Sequence, residues 1–414
     1  MKKENNAAKE THAVEAFALA ANDAPAFQES ARSEWVSYGH DNAYPAKLVE
    51  LSQKSALHNA IISSKVDSVA GAGATYEGEP NAQTDALISS PNPDETLDDI
   101  LYKLAYDEVL FGGFAIEVIL AKDKKRIAEM RHIDFTCLRS GKEGEDGKVA
   151  EYWYSKCWAK ARQAEFKPVM VPAYARGSKE PRQVMYVKEY RPTLRYYPLP
   201  SYIGALAYVE IDAEIANFHL AHIRNGMSPS LMINFNNGIP EVEKRKAIKK
   251  QISDTFTGSE NAGKFILNFS DDKDHAPDVT TISPSQLDKQ FIQLQETVMQ
   301  NILSGHKITN PLLVGIKTPG QLGGTNELQA SFAIYYSQVI EPLQKLLIGA
   351  INAIGAVNGC SELEIDSVAP VEFTFSENIM SQILTQDEMR AKIGYAPAAV
   401  QPAQTENNPT ANGN

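Results

Sequence analysis

Cysteine is scarce: three in 414 residues. Cys137, Cys157 and Cys360 lie far apart, and none forms a CxxC pair. That excludes a disulfide framework and a cysteine-based zinc site as the basis of the fold. Long apolar runs are also missing. The most apolar stretch, Leu346 to Val357, is too short to span a bilayer and contains Asn352, so no membrane partner is expected. The opening MKKENNAAKETHAVEA has no apolar h-region, and a reducing cytoplasm is the expected site of synthesis. Positive charge is outweighed, with 40 Lys and Arg against 52 Asp and Glu and a net charge of −12. A conventional DNA reader carries a basic footprint, so tight phosphate binding is not expected. GxSxG, HExxH and kinase signatures are absent as well.

What remains reads as a folded chain, with 43% hydrophobic and 22% charged residues. Residues 1–30 and 398–414 are too poor in large apolar side chains to offset ordering entropy, and disorder is expected there. Ala46 to Ala70 has a helical apolar spacing and ends at Gly71 and Gly73. Asn92-Pro93-Asp94-Glu95 reads as a cap for a helix over about 94–110. Gly112-Gly113 breaks that helix, and Phe114 to Leu120 reads as a buried strand. Residues 125–200 are aromatic and β-branched with repeated Pro and Gly, which predicts antiparallel sheet, with 142–148 (KEGEDGK) as a surface hairpin turn.

From Ser201 the period returns to helical. Leu206, Val209, Ala213, Ala216, Leu220 and Ile223 form one narrow seam, ended by Gly226. A compact αβ insert follows, with strands SLMINF (230–235) and KFILNF (264–269) around a helix opened by Pro240. Ser283 to Gln286 caps another helix, ending at Gly305, whose seam is Leu287, Phe291, Leu294 and Val298. A Gly/Pro loop, Ile316 to Thr325, precedes a helix to about Ala356 that Pro342 should kink. Its apolar positions are Leu328, Phe332, Tyr335, Val339, Leu343, Leu346, Ala350 and Ile354. A strand-like run, Val371 to Phe375, and a helix over about 377–393 close the pattern. The fold class is α+β.

Catalytic chemistry is not visible. His219 and His222 sit three apart on a helix, but a third ligand is not recognisable beside them, and a packed or solvated pair is expected rather than a metal site. Gly320-Gln321-Leu322-Gly323-Gly324-Thr325 lacks the lysine of a phosphate loop. No enzyme activity, cofactor or metal is expected.

Several stretches, in order, resemble the portal proteins of tailed bacteriophages. These are Tyr38-Gly39 with Asp41 to Pro45; Tyr196-Tyr197-Pro198 and the helix to Arg224; Asn225-Gly226 with SPSLMINF; SDTFTGSENAGKFILNF; ITNPLLVG; Gly323 to Gln329 before a long helix with Pro342; and IMSQILTQDEMRAKIGYAP. The resemblance covers about 35–397. It implies a dodecameric ring at one capsid vertex, through which double-stranded DNA is packaged and ejected. Its parts would be an N-terminal arm (1–34), a mixed α/β wing (35–200 and 327–375), a two-helix stem (201–226 and 284–305), a small αβ clip (227–283), a tunnel loop region (306–326), a short helical crown (376–397) and a disordered tail (398–414). Implied partners are further copies of the chain, non-specifically bound duplex DNA, the terminase large subunit, a head-tail adaptor, and major capsid or scaffolding protein. The implied location is the virion, with host cytoplasm before assembly. The competing readings are another head-tail connector, or a motor ATPase, which the missing P-loop argues against.

Within that frame the two seams would hold a neighbouring subunit. Lys244, Arg245, Lys249 and Lys250 are the expected partner contact of the clip, although Glu241 and Glu243 share their helix and a solvated face would look the same. Lys317, Gly320, Gln321, Gly323 and Gly324 are the expected channel loop, its glycines permitting wide backbone freedom. An acidic wall suits a conduit in which DNA must slide, since cationic contacts would hold the phosphates in place.

Overall fold

Helix α1 (Tyr44–Lys54) and helix α2 (Ala56–Ala70) replace the single helix expected over 46–70. Ser55 separates them. Its backbone is extended, and its hydroxyl accepts from the His58 amide as the cap of α2. The computed structural model describes residues 27–31, 33–224, 231–235, 241–248, 265–269, 284–316 and 325–367. At 28, 221–224, 231–235, 265–269, 284–291 and 325–326 it gives the backbone path only. The chain divides into two units, Met1–Val368 and Ala369–Asn414, and every described residue lies in the first.

Short strands β1 (Phe27–Gln28) and β2 (Ser37–Tyr38) pair ahead of α1. After α2, strand β3 (Ala74–Thr75) leads to helix α3 (Ala82–Ser89), which the sequence reading missed. Asn81 caps α3, its side chain accepting from the amides of Gln83 and Thr84. Helix α4 (Leu97–Phe111) starts at Thr96, whose hydroxyl and the Asp99 carboxylate close a capping box. Asn92 therefore caps no helix. Its side chain instead accepts from Asp94 and donates to the Met130 carbonyl. Gly112, in the left-handed region at φ 80, ends α4 as expected.

Strand β4 (Gly113–Leu120) follows at once, central in the order β5-β4-β9 with β5 (Ile127–His132) and β9 (Arg182–Lys188), all antiparallel. A second antiparallel sheet is built from β6 (Leu138–Ser140), β7 (Glu151–Tyr154) and β8 (Val169–Pro172). Its inner residues Leu138, Tyr152 and Val171 bury against Ala115 and Val184 of the first sheet. The core around α2 and α4 covers Phe114, Ile116 and Val118. With both faces covered, β4 reads as a nearly unbroken apolar run. The one carboxylate in it, Glu117, is paired with Arg182.

Helix α5 (Leu206–Arg224), strand β10 (Leu231–Phe235), helix α6 (242–248), strand β11 (Phe265–Phe269) and helix α7 (Pro284–Gly305) follow. β10 and β11 form a parallel pair in register from Leu231↔Phe265 to Phe235↔Phe269. The last long helix runs as α8 (Thr325–Tyr335), a π-helical turn (Tyr336–Ile340) and α9 (Glu341–Gly355), before strand β12 (Glu364–Ile365) pairs with β3. The kink expected at Pro342 thus takes the form of a π turn just before it. Proline has no amide to give and its ring crowds the carbonyl four residues back, so the preceding turn widens. The wide turn resets the apolar face: Val339, Ile340, Leu343, Leu347, Ala350, Ile351 and Ile354 are buried, and Leu346 is only partly covered. By length and composition alone Glu327–Asn358 could cross a membrane, a longer span than the stretch from Leu346 to Val357 read as too short. Its apolar face is spent on the protein's own core. Val371 to Phe375 and the helix expected over 377–393 lie outside the described residues.

Candidate functional site: a helix pair rooted in a polar junction

α5 and α7 pack against each other, and their base is set into the body of the chain. Gly305 is the reason they meet so closely: a Cβ there would lie 2.3 Å from the Ala205 Cβ. We expect Gly305→Ala to cost about 2 kcal/mol, the usual penalty for overpacking a filled contact, read as a lowered urea midpoint at unchanged slope.

Below this contact lies a buried polar junction. His58 Nδ1 and His306 Nε2 share a hydrogen bond of 2.9 Å. The Tyr202 ring stacks on His306, and its hydroxyl donates to the Leu110 carbonyl at 2.7 Å. His58, His306 and Tyr202 are all fully buried. Burial pushes His58 down to about 4. Burial, helped by the charges of His58 and Lys65, holds His306 well below its usual range. Both rings are therefore neutral at pH 7, and one nitrogen of the pair donates its proton to the other. Two further ties fix α5: Ser55 Oγ donates to Asp212 Oδ2 at 2.6 Å, and Lys47 meets Glu210 at 2.6 Å on the surface.

The seam residues divide along the helices. Leu206, Val209, Ala213 and Val298 are buried within the chain itself. This corrects the expectation that the seams hold a neighbouring subunit along their whole length: near the root, the two helices and the core cover them. Further out, Ala216 is exposed, Leu220 and Leu294 are 45% and 39% exposed, and Ile292, which the predicted seam did not include, is 57% exposed. Side chains of Ile223, Leu287 and Phe291 lie outside the described residues.

Of the expected clip contacts, Lys244 and Arg245 are exposed on α6, with Lys246 beside Glu243 at 3.6 Å. Lys249 and Lys250 lie outside the described residues, as do Lys317, Gly320, Gln321, Gly323 and Gly324. The approach to that loop is described. Asn310 accepts from the Leu312 amide, Pro311–Val314 form a 3-10 turn, and Gly315 ends it at φ 73. This is what the ITNPLLVG run encodes: a cap, a first-turn proline and a left-handed glycine.

Two motifs from opposite ends of the first 200 residues meet. Tyr38 stacks on Tyr197 at 4.0 Å between centroids, and its hydroxyl donates to the Pro198 carbonyl. Asn42 holds the turn between them at φ 61, its side chain accepting from the Tyr38 amide. Arg139, buried, donates to both the side chain and carbonyl of Asn42 and lies over the Trp158 ring at 4.9 Å. Arg139 carries no signal in the sequence, because Asn42, which it holds, is 97 residues away.

An acid–base pair also escaped the sequence reading. His132 meets Asp107 Oδ2 at 2.7 Å beside a cavity of about 320 Å³ lined by Tyr102, Tyr106 and Phe111. Burial raises Asp107 to about 6, opposed by the His132 bond. The same carboxylate accepts from the Phe135 amide, so it ties β5 to α4.

Comparison with known proteins agrees with this architecture. The family described as phage portal protein matches residues 61–394. An uncharacterized protein of Rickettsia bellii (strain RML369-C) is 27% identical over 221 residues, 51% of this chain and 55% of its own length. The chain thus aligns to about half of that relative. One from Rickettsia felis (strain ATCC VR-1525 / URRWXCal2) is 23% identical, over 75% of this chain and 77% of its own length. A chain from the neck of a native gene transfer agent particle, computed with C12 symmetry, superposes with TM-score 0.54 at 16% identity, covering 86% of this chain and 95% of that one. A chain of the native particle's virion does so with TM-score 0.54 at 14% identity, over 86% and 94%. That likeness is one of fold. The family match spans most of the chain, and the chain belongs to the phage portal protein family.

Proposed function

We propose that the chain forms a dodecameric ring at one capsid vertex and serves as the conduit for double-stranded DNA in packaging and ejection. The observation that carries this is the helix pair: rooted at one end in a buried junction, it leaves Leu220, Ile292 and Leu294 uncovered further out. Apolar side chains on that outer half are what a neighbouring stem would cover, by a head-to-tail contact that closes through rotation. In this reading 35–200 and 327–375 are the wing, 201–226 and 284–305 the stem, 227–283 the clip, 306–326 the tunnel loop region and 376–397 the crown. The clip meets the terminase motor and later the adaptor, with Lys244, Arg245, Lys249 and Lys250 in contact. Capsid or scaffolding protein meets the ring from outside. The ring sits in the virion after assembly in the host cytoplasm. The chain performs no catalysis and needs no cofactor. Its net charge of −12 keeps DNA mobile in the channel.

The loop gives the test. Deleting Gly320 to Gly324 should leave rings intact while shortening the packaged DNA recovered from assembled heads. Full-length packaging at normal rate would remove the loop from the channel. Reversing the four clip cations should weaken motor docking with rings intact, and unchanged docking in a pull-down would reject that contact.

A further inference from the structure

Charge is unevenly distributed along this acidic chain. Between Lys156 and Arg195 stand ten lysines and arginines against three glutamates. Between Val66 and Tyr102 stand eight aspartates and glutamates with no lysine or arginine. Each segment folds into its own surface. Lys156, Lys160, Arg162, Lys167, Arg176 and Lys179 are all exposed around β8. The ion pairs of this segment involve Arg182, Arg191 and Arg195, which leaves those six without a carboxylate among the described residues. Val169 and Met170 on β8 are 55% and 46% exposed and add uncovered apolar area. On the other segment Glu77, Glu79, Asp85 and Asp98 are exposed around α3. Asp85 accepts from the Tyr76 hydroxyl and Asp98 from the Ala74 amide, so neither is neutralised by a cation.

The topology sets the end of the basic segment, which carries Arg176 and Lys179, and helix α3 at opposite edges of one sheet, while the loop with Lys156, Lys160 and Arg162 is anchored beside β6 through the Trp158 bond to the Cys137 carbonyl. In the order β5-β4-β9, the chain leaving β8 runs along the free side of β9: Ala173 pairs with Val184, and the Tyr174 amide donates to the Val184 carbonyl. Beyond β5, at the other edge, Gln83, Ala86 and Leu87 of α3 line a cavity with Arg126, Ile127 and Ala128, the Arg126 charge being taken by Asp123. A subunit with unpaired cations beyond one edge and unpaired carboxylates beyond the other is charged for head-to-tail contact. Opposite potentials steer two copies together and set their register, while two like surfaces repel.

We infer that the basic surface of residues 156–179 in one copy docks onto the acidic surface of residues 77–98 in the next, repeating around the ring. This rests on the ring reading above. A polyanion such as DNA would satisfy the basic surface but would be repelled by the acidic one. A second copy satisfies both, one basic and one acidic surface at every contact.

The test uses the full chain and two variants. The first carries Lys156→Glu, Arg162→Glu, Lys167→Glu and Lys179→Glu; the second carries Glu77→Lys, Glu79→Lys and Asp85→Lys. Circular dichroism checks that both fold, and mass photometry counts subunits. Each variant alone presents like charges at every contact, and its association should weaken by about 100-fold. An equimolar mixture restores opposite charges at every contact and should rebuild rings of alternating subunits. The wild type should lose rings in ~1 M salt, where the Debye length falls to about 3 Å. Rings from the first variant alone would overturn the inference, as would failure of two folded variants to rescue each other. Rings from the first variant that have lost retention on duplex DNA would overturn it in favour of a polyanion surface. A wild type that forms no ring would instead overturn the ring reading, and this inference with it.

Discussion

Leu220→Asp is expected to leave the chain folded and to abolish its self-association. Leu220 stands on the outer half of α5 and is 45% exposed in the single chain, so the substitution puts no charge into the folded core. In a ring the same position is covered by a neighbour, and an aspartate there is desolvated without a partner. That costs on the order of 3 kcal/mol per contact, about a hundredfold in each association step. Because every subunit makes the contact twice, once on each side, the loss compounds around the ring. Light scattering at micromolar protein should report monomer, with an unchanged urea midpoint. Val209→Asp is the control: Val209 is fully buried in the chain's own core, so that variant should lose folding itself. A Leu220→Asp protein that assembles like the wild type would remove the outer seam from the interface.

The second large effect is expected from the histidine junction. In the unfolded chain His58 takes a proton near its ordinary value of 6.5, and in the folded chain only near 4. Between those values the unfolded state binds the extra proton. The contribution is therefore fully present above about pH 6.5 and is lost as pH falls toward 4. From pH 7 to pH 5 it amounts to about 2 kcal/mol for His58 alone. His306, also held low, acts in the same direction. Buried carboxyls oppose it: burial raises Asp107 to about 6 and Glu108 to about 8, and both favour the folded state as pH falls. The readout is therefore a difference. His58→Gln should be less stable than the wild type at pH 7, and the gap should narrow by about 2 kcal/mol at pH 5. A gap independent of pH would show that folding does not lower the proton affinity of His58. Acid should therefore loosen the junction between α2 and the base of the helix pair.

The sequence carried the local devices and missed those that depend on distant partners. Gly112 as a helix stop, β4 as a buried strand, the antiparallel sheets of 125–200 and the strands around 231 and 265 were legible, because each depends on neighbouring residues. Ser55 was not. Apolar spacing runs unbroken from Leu48 to Val69, and the break rests on the Ser55 cap of α2 together with its bond to Asp212, 157 residues away. Asn92 and Thr96 compete as caps four residues apart, and the Asp99 carboxylate decides for Thr96. Of the candidate site, the helix pair was legible from its seams, but not where burial ends along them. That boundary is set by how deep the base sits, through Gly305 and the pairing of His58 with His306, 248 residues apart.

The central claim is a closed ring built from this chain alone, and the mass of the purified wild-type particle tests it most directly. Mass photometry should find a discrete species near twelve times the 45.5 kDa chain. A single species at the mass of one chain, persisting at micromolar concentration and low salt, would contradict it.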